Sequence, residues 1–295
     1  MAALNYLLWL TTRPYLGQGA AQALVERFGS AEAVYFADPA EYDMLRIPGR
    51  LKEALRDKSM DSAQQVLDEC DRLGLWIMTC QDAAYPERLR QLKDLPLVLY
   101  GRGRQFRFDE ELAIAMVGTR KCTPYGASLA EKFGRELAQA GALVVSGIAQ
   151  GIDSHALRGA LMGGGQVVSV LGGGIDVVYP RENQWLYEDV AAAGALISEY
   201  PPGTETHGSH FPYRNRIISG LSDGVFVVEA KEKSGSLITV GLALEQGKDV
   251  FALPGRITDP GSRGCNQLIQ AGAALVNSPG DIMEYFGIKF KKKLS

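Results

Sequence analysis

The sequence predicts a doubly wound α/β domain on a mostly parallel sheet, preceded by a small all-helical domain. Three observations carry this. From about residue 72, short apolar runs rich in β-branched residues alternate with helical stretches. Those runs lack internal polar/apolar alternation, as strands buried on both faces between helical layers do. Most of them end in a Gly-rich loop that feeds a helix, the turn found at the carboxyl edge of a parallel sheet.

Taken in chain order, residues 1–70 show helical periodicity and almost no strand signal. Leu4, Leu7 and Leu8 are followed by Ala20, Ala23, Leu24 and Phe28 before Gly29, then by Val34, Tyr35 and Ala37 before Asp38-Pro39. Within this unit, Leu45 to Lys52 has the shape of a helix-hairpin-helix turn, whose amides can meet a phosphate. The motif is short and incomplete, and a structural junction or partner-binding turn is the favoured reading. The predicted strands are Leu75–Cys80, Leu97–Tyr100, Leu112–Val117, Ala142–Val145, Gln166–Leu171, Ala195–Glu199, Val225–Glu229, Asp249–Leu253 and Ala273–Val276. Between the third and fourth, Pro124 suits a first helical turn, and Ala130, Phe133 and Leu137 then step along one face. The α/β domain spans residues 71–287, and residues 288–295 form a basic tail.

Composition bounds the function. With 295 residues, 46 % hydrophobic and 22 % charged, the chain is an ordinary globular protein long enough for two domains. No apolar run approaches the roughly 20 residues of a membrane helix, and the start lacks a basic signal region, so a cytoplasmic address with no membrane partner is expected. Cys70, Cys80, Cys122 and Cys265 are too scattered for a zinc site or a disulfide framework and are expected to be reduced thiols. The net charge of −3 excludes nucleic-acid binding by overall charge, so any polyanion site must be a local patch.

The 34 glycines mark where such a patch would lie. Small-residue loops follow the strands at Gly118-Thr119-Arg120-Lys121, Ser146-Gly147 through Gly151, Gly172-Gly173-Gly174, Ser234-Gly235-Ser236 and Pro254-Gly255-Arg256. At the carboxyl edge of a parallel sheet each loop presents backbone amides and a helix N-terminus, both suited to anions. Any one turn needs glycine for geometry alone; several on one edge fit an extended polyanion. The densest signal is Phe211 to Gly220, where Arg214, Asn215 and Arg216 offer donors for phosphate oxygens and Phe211 and Tyr213 offer faces for unpaired bases. Lys231 falls at the same edge.

Other chemistries lack support. No window matches the GxGxxG of dinucleotide enzymes, and the stretch from Gly241 to Lys248 is one residue too long for a Walker A loop. Gly220 to Gly224 matches the GxSxG of hydrolases but precedes a strand rather than following one. His155, His207 and His210 lack a nucleophile or metal partner in sequence, and Asp153 suits a helix N-cap. Glu199 and Glu229 end strands at the loop edge, where structural roles are favoured over general-base roles. No catalytic residue, metal or cofactor is expected.

Taken together, these segments resemble the DNA-processing protein A family, DprA or Smf. The resemblance rests on Val117-Gly118-Thr119-Arg120, Ser146 to Asp153, Tyr179 to Asn183, Phe211 to Ser222, Val228-Glu229-Ala230, Ser234 to Thr239 and Phe251 to Gly255, covering residues 72–286 in order. It implies an extended Rossmann-like domain that follows a SAM-like helical domain and binds single-stranded DNA without a cofactor. It further implies a homodimer that protects DNA taken up in natural transformation, counters single-strand binding protein and loads a RecA-type recombinase. Carried over to this sequence, Arg120, Arg214, Asn215, Arg216 and Ser234-Gly235-Ser236 should line the phosphate pocket, with Lys231 a weaker candidate. The loop Thr204 to His210 is less proline-rich and less basic than in the family, so no further DNA contacts are assigned to it. Many members carry a winged-helix domain after the Rossmann-like one; this sequence either lacks it or is a piece cut before it, and no function of that domain is carried over. The rival is a Rossmann-like nucleotide-processing enzyme of phosphoribohydrolase type; such enzymes have a catalytic Glu soon after the Gly-rich turn, where this sequence has Val240-Gly241-Leu242. A non-catalytic interaction scaffold with a vestigial pocket is the third reading.

Overall fold

The computed structural model describes residues 2–105 and 107–287; the basic tail lies outside them. Six helices come first: α1 (Ala2–Thr11), α2 (Gln18–Phe28), α3 (Ala31–Phe36), α4 (Pro39–Asp43), α5 (Gly49–Arg56) and α6 (Asp61–Leu73). Local chemistry sets several of their ends. The Ser30 hydroxyl accepts from Ala33 N at the start of α3, and Asp38 and Glu41 form a reciprocal capping box around Pro39 at the start of α4. Gly29 and Gly74 close α2 and α6 in the left-handed conformation.

All nine predicted runs form strands: β1 (Trp76–Thr79), β2 (Val98–Gly103), β3 (Ala113–Val117), β4 (Leu143–Ser146), β5 (Val167–Val170), β6 (Ala195–Ser198), β7 (Gly224–Val227), β8 (Asp249–Ala252) and β9 (Ala274–Leu275). The helix α7 (Glu87–Arg90) separates the first two. From β3 onward the intervening helices are α8 (Pro124–Gln139), α9 (Ile152–Met162), α10 (Gln184–Ala193), α11 (His210–Gly220), α12 (Ser236–Glu245) and α13 (Arg263–Gln270), with α14 (Pro279–Tyr285) after β9. The strands form one sheet in the order β1-β2-β6-β5-β4-β3-β7-β8-β9. Pairing is parallel from β6 through β9 and antiparallel at β1/β2 and β2/β6. The chain winds outward from β3 to β6, then returns to start β7 on the other side of β3. The strand order therefore reverses there, and a crevice opens beyond the carboxyl ends of β3, β4 and β7.

The lack of alternation in the strands has a direct structural cause. In β3, Ile114 and Met116 point into one apolar core while Ala113, Ala115 and Val117 point into a second on the opposite face. The first core holds the predicted face of α8, Ala130, Phe133 and Leu137, together with Ala156 and Leu157 of α9 and Val190 of α10. The second core takes Ile217 and Ile218 of α11 and Val240 and Ala243 of α12. The amino-terminal helices are continuous with the first core: Leu7, Leu8, Trp9 and Leu10 of α1 belong to the same cluster as Val98 and Tyr100 of β2. The apolar residues of the helix-hairpin-helix-like segment, Leu45, Ile47 and Leu51, line a groove of about 400 Å³ against Ala20, Ala23 and Leu24 of α2. Among the described residues, no helix is long and apolar enough to cross a membrane.

Candidate nucleic-acid interface

A cavity of about 480 Å³ occupies the crevice where the strand order reverses. The β3 loop supplies Gly118, Thr119, Arg120 and Lys121, and the β7 loop supplies Lys231, Lys233, Ser234, Gly235 and Ser236. The face of α11 adds Phe211, Arg214 and Asn215. Arg120, Lys121, Lys231 and Lys233 are exposed at its rim. Among the described lining residues the one carboxylate is Asp153, and it is buried. A chain of net charge −3 thus gathers four exposed cations around one depression, with the N-terminus of α12 opening onto it.

The loops are held at fixed spacing. Thr119 N donates to Glu229 O at 2.8 Å, and Ile152 N donates to Thr119 O at 3.2 Å, so the β3 loop is clamped between β7 and α9. Glu229 is structural: its carboxylate accepts from Thr123 Oγ1 at 2.6 Å and from Thr123 N, fixing the residue that caps α8. On the β7 loop the hydroxyls of Ser234 and Ser236 lie 2.8 Å apart.

The two arginines of the central block have different surroundings. Arg214 faces the cavity floor and is 5 % exposed. Its Nη1 donates to Gly147 O at 3.1 Å and to Val170 O, tying together the carboxyl ends of β4 and β5. Its Nε donates to Asn215 Oδ1 at 3.2 Å, and Asn215, whose amide nitrogen retains two donor hydrogens, lines the cavity. Burial pulls the Arg214 pKa down to about 10 against the nearby Asp153 carboxylate. Asp153 is not the N-cap expected of it. It lies in the first turn of α9, its Oδ2 accepts from Gly147 N at 3.2 Å, and burial pushes its pKa up to about 6 despite Arg214. Gly147 lets the guanidinium pack close to the backbone: a Cβ there would sit 2.6 Å from Arg214 Nη2 and would have to displace it.

Arg216, expected in the pocket, faces away from it. Its Nη2 donates to both oxygens of Glu199 at 2.7 and 2.8 Å, and its Nε donates to Asp94 O at 2.9 Å. The two side chains are 7 % and 4 % exposed, a buried ion pair beneath α11. Two residues further along a helix is more than half a turn, so Arg214 and Arg216 cannot share a face. Tyr213 follows Arg216: its ring lies 3.9 Å from the guanidinium and lines a separate groove with Tyr200 and His210 beside the amino-terminal helices. The second expected stacking face is therefore committed elsewhere. Ser146 is also removed from the cavity, fully buried with its hydroxyl donating to Met116 O at 2.7 Å. Gly147 lies beneath Arg214 and does not line the cavity.

Phe211 stays at the site. Its ring lies 5.4 Å from the Arg120 guanidinium and 5.3 Å from the ring of Tyr179. Sequence reasoning missed Lys233, although the alternation Lys231-Glu232-Lys233 before Ser234 would have indicated it. The hydrolase-like motif is structural, since Ser222 is buried between α11 and β7 and donates to Ile218 O at 2.9 Å.

The fold and the cavity define a class: a Rossmann-like α/β protein with a basic, loop-built depression at its switch point. More specifically, the chain belongs to the DNA recombination-mediator protein A family, whose model matches residues 76–287. It is 44 % identical over 211 residues to the DNA processing protein DprA of Bacillus subtilis, covering 72 % of this chain and 71 % of that one. The DprA of Streptococcus pneumoniae is likewise 44 % identical over 207 residues, covering 70 % and 72 % of the two chains. The crystal structure of the pneumococcal protein superposes with a TM-score of 0.83 at 34 % identity, covering 95 % of this chain and 97 % of that chain. Helicobacter pylori DNA processing protein A, whose structure was studied for its single-stranded DNA binding mode, gives a TM-score of 0.66 at 32 % identity over 72 % of this chain and 97 % of that chain.

Proposed function

We propose that this protein binds single-stranded DNA in the switch-point cavity and serves as a recombination mediator, delivering the strand to a RecA-type recombinase during DNA uptake. The observation that carries the reading is the cluster of Arg120, Lys121, Lys231 and Lys233 around one cavity in a chain of net negative charge. Such a site neutralises phosphates and favours strands flexible enough to enter a depression. Duplex recognition would call for a helix or ribbon presented to a groove. Family membership and the binding mode described for the Helicobacter relative support the same reading. In it, residues 71–287 form the DNA-binding unit and residues 1–70 a helical module docked on it. The protein works in the cytoplasm, alongside single-strand binding protein, and as a homodimer. Support for a second copy is the edge position of β9, which pairs only with β8 among the described residues and where Leu275 is exposed. In this reading the site binds and does not catalyse, and Asp153 of the lining braces the cavity floor, accepting from Gly147 N beside Arg214.

The test is anisotropy of a labelled oligonucleotide across a salt series. Each phosphate contact to a single strand contributes about −0.7 to the slope of log K against log salt, so Arg120→Ala with Lys231→Ala and Lys233→Ala should flatten the slope by about 2. An unchanged slope, or equal affinity for the duplex, overturns the proposal. Release of free base from a nucleoside monophosphate would favour the phosphoribohydrolase-type enzyme instead.

A further inference from the structure

Tyr179 takes no part in the phosphate site as described, yet its surroundings are unusual for a surface tyrosine. Its side chain is 46 % exposed, while its backbone is held on both sides by one buried residue. The Tyr187 hydroxyl donates to Tyr179 O at 2.9 Å and accepts from Tyr179 N at 3.2 Å. Tyr187 itself is 2 % exposed, so the proton and one lone pair of a buried phenol are both spent on fixing one exposed neighbour. The ring so placed leans on Phe211, with centroids 5.3 Å apart and planes inclined by 33°. Phe211 in turn lines the cavity and is backed by Gly172, where a Cβ would come within 2.9 Å of the ring. The two rings thus form a continuous aromatic step from the cavity to open surface.

We propose that Tyr179 is a nucleobase-stacking platform at the mouth of the cavity, extending the surface that Phe211 begins. This rests on the single-strand reading above and adds to it where the bases go. With Tyr213 clasped to Arg216, Tyr179 supplies the second aromatic face that a strand held by its phosphates at Arg120 and Asn215 can reach. A ring anchored before binding loses little freedom when a base covers it, and because every base has a π face the platform accepts any sequence.

The experiment compares oligothymidylate with an abasic oligonucleotide of the same length, measured on the wild type, Tyr179→Ala and Tyr179→Phe. Loss of one stacked base corresponds to a roughly tenfold weaker affinity. Tyr179→Ala should show that loss on oligothymidylate and none on the abasic strand, and Tyr179→Phe should match the wild type. Equal weakening on both strands, or none on either, overturns the platform while leaving the phosphate site standing. Failure of the wild type to bind either strand overturns the single-strand reading, and the platform with it. An assay on the unaltered protein guards against a misfolded variant: photo-cross-linking to 5-iodouracil oligonucleotides should attach to Tyr179, and attachment only at other residues overturns the proposal.

Discussion

Replacing Arg216 tests whether this arginine is a DNA contact, as its neighbours in sequence suggest, or a structural ion, as its surroundings dictate. Arg216→Ala removes a guanidinium that donates to both oxygens of Glu199 at 2.7 and 2.8 Å and to Asp94 O at 2.9 Å. It leaves the Glu199 side chain, 4 % exposed, without its counter-ion, and burial already raises the pKa of that carboxyl against the pull of Arg216. Breaking one side of a buried pair costs about 3–5 kcal/mol, and loss of the Tyr213 stacking adds to it. Urea denaturation should therefore show a large stability loss, while DNA affinity per folded molecule and its salt slope stay near the wild-type values. Arg216→Met with Glu199→Leu should recover most of the stability, because two apolar side chains remove both charges from the interior. A loss below about 1 kcal/mol for Arg216→Ala, with a flattened salt slope, would refute the argument and return Arg216 to the phosphate site.

Two further outcomes follow from the cavity floor. Burial raises the Asp153 pKa to about 6 in the folded protein, so between the ordinary carboxylate range and pH 6 the folded state holds a proton that the unfolded state releases. Asp153 thus favours the fold less as pH rises through that window. Asp153→Asn should gain stability relative to the wild type between pH 4 and pH 7 in parallel urea titrations, and a pH-independent difference would count against it. Gly147→Ala forces a methyl to 2.6 Å from Arg214 Nη2 and 2.9 Å from Asp153 Oδ2, and should cost about 1–3 kcal/mol in thermal unfolding as well as weakening single-strand binding, whereas wild-type-like values for both would show that the floor yields.

Much of this molecule was legible from local pattern. All nine strands, the capped start of α8 and the loops that carry Gly118 to Lys121 and Ser234 to Ser236 follow from short-range signals that a residue and its near neighbours contain. The patch was legible too, since a parallel sheet sends every strand-to-helix loop to one edge. Side-chain direction was not. Arg214 and Arg216 read alike in sequence, but their partners lie 67 and 17 residues away, on Gly147 and Glu199.

The sequence by itself determined which segments become strands and helices and which loops could receive an anion. Periodicity, capping and glycine placement act within a few residues and survive without a partner. Only the tertiary structure decided that β7 returns beside β3, that Arg214 braces the cavity floor while Arg216 is buried against Glu199, and that Tyr179 meets Phe211 at the cavity mouth. Those outcomes depend on the order in which strands pair and on the helical rotation that assigns each α11 side chain to one face or the other. Both are properties of packed layers and not of any one segment.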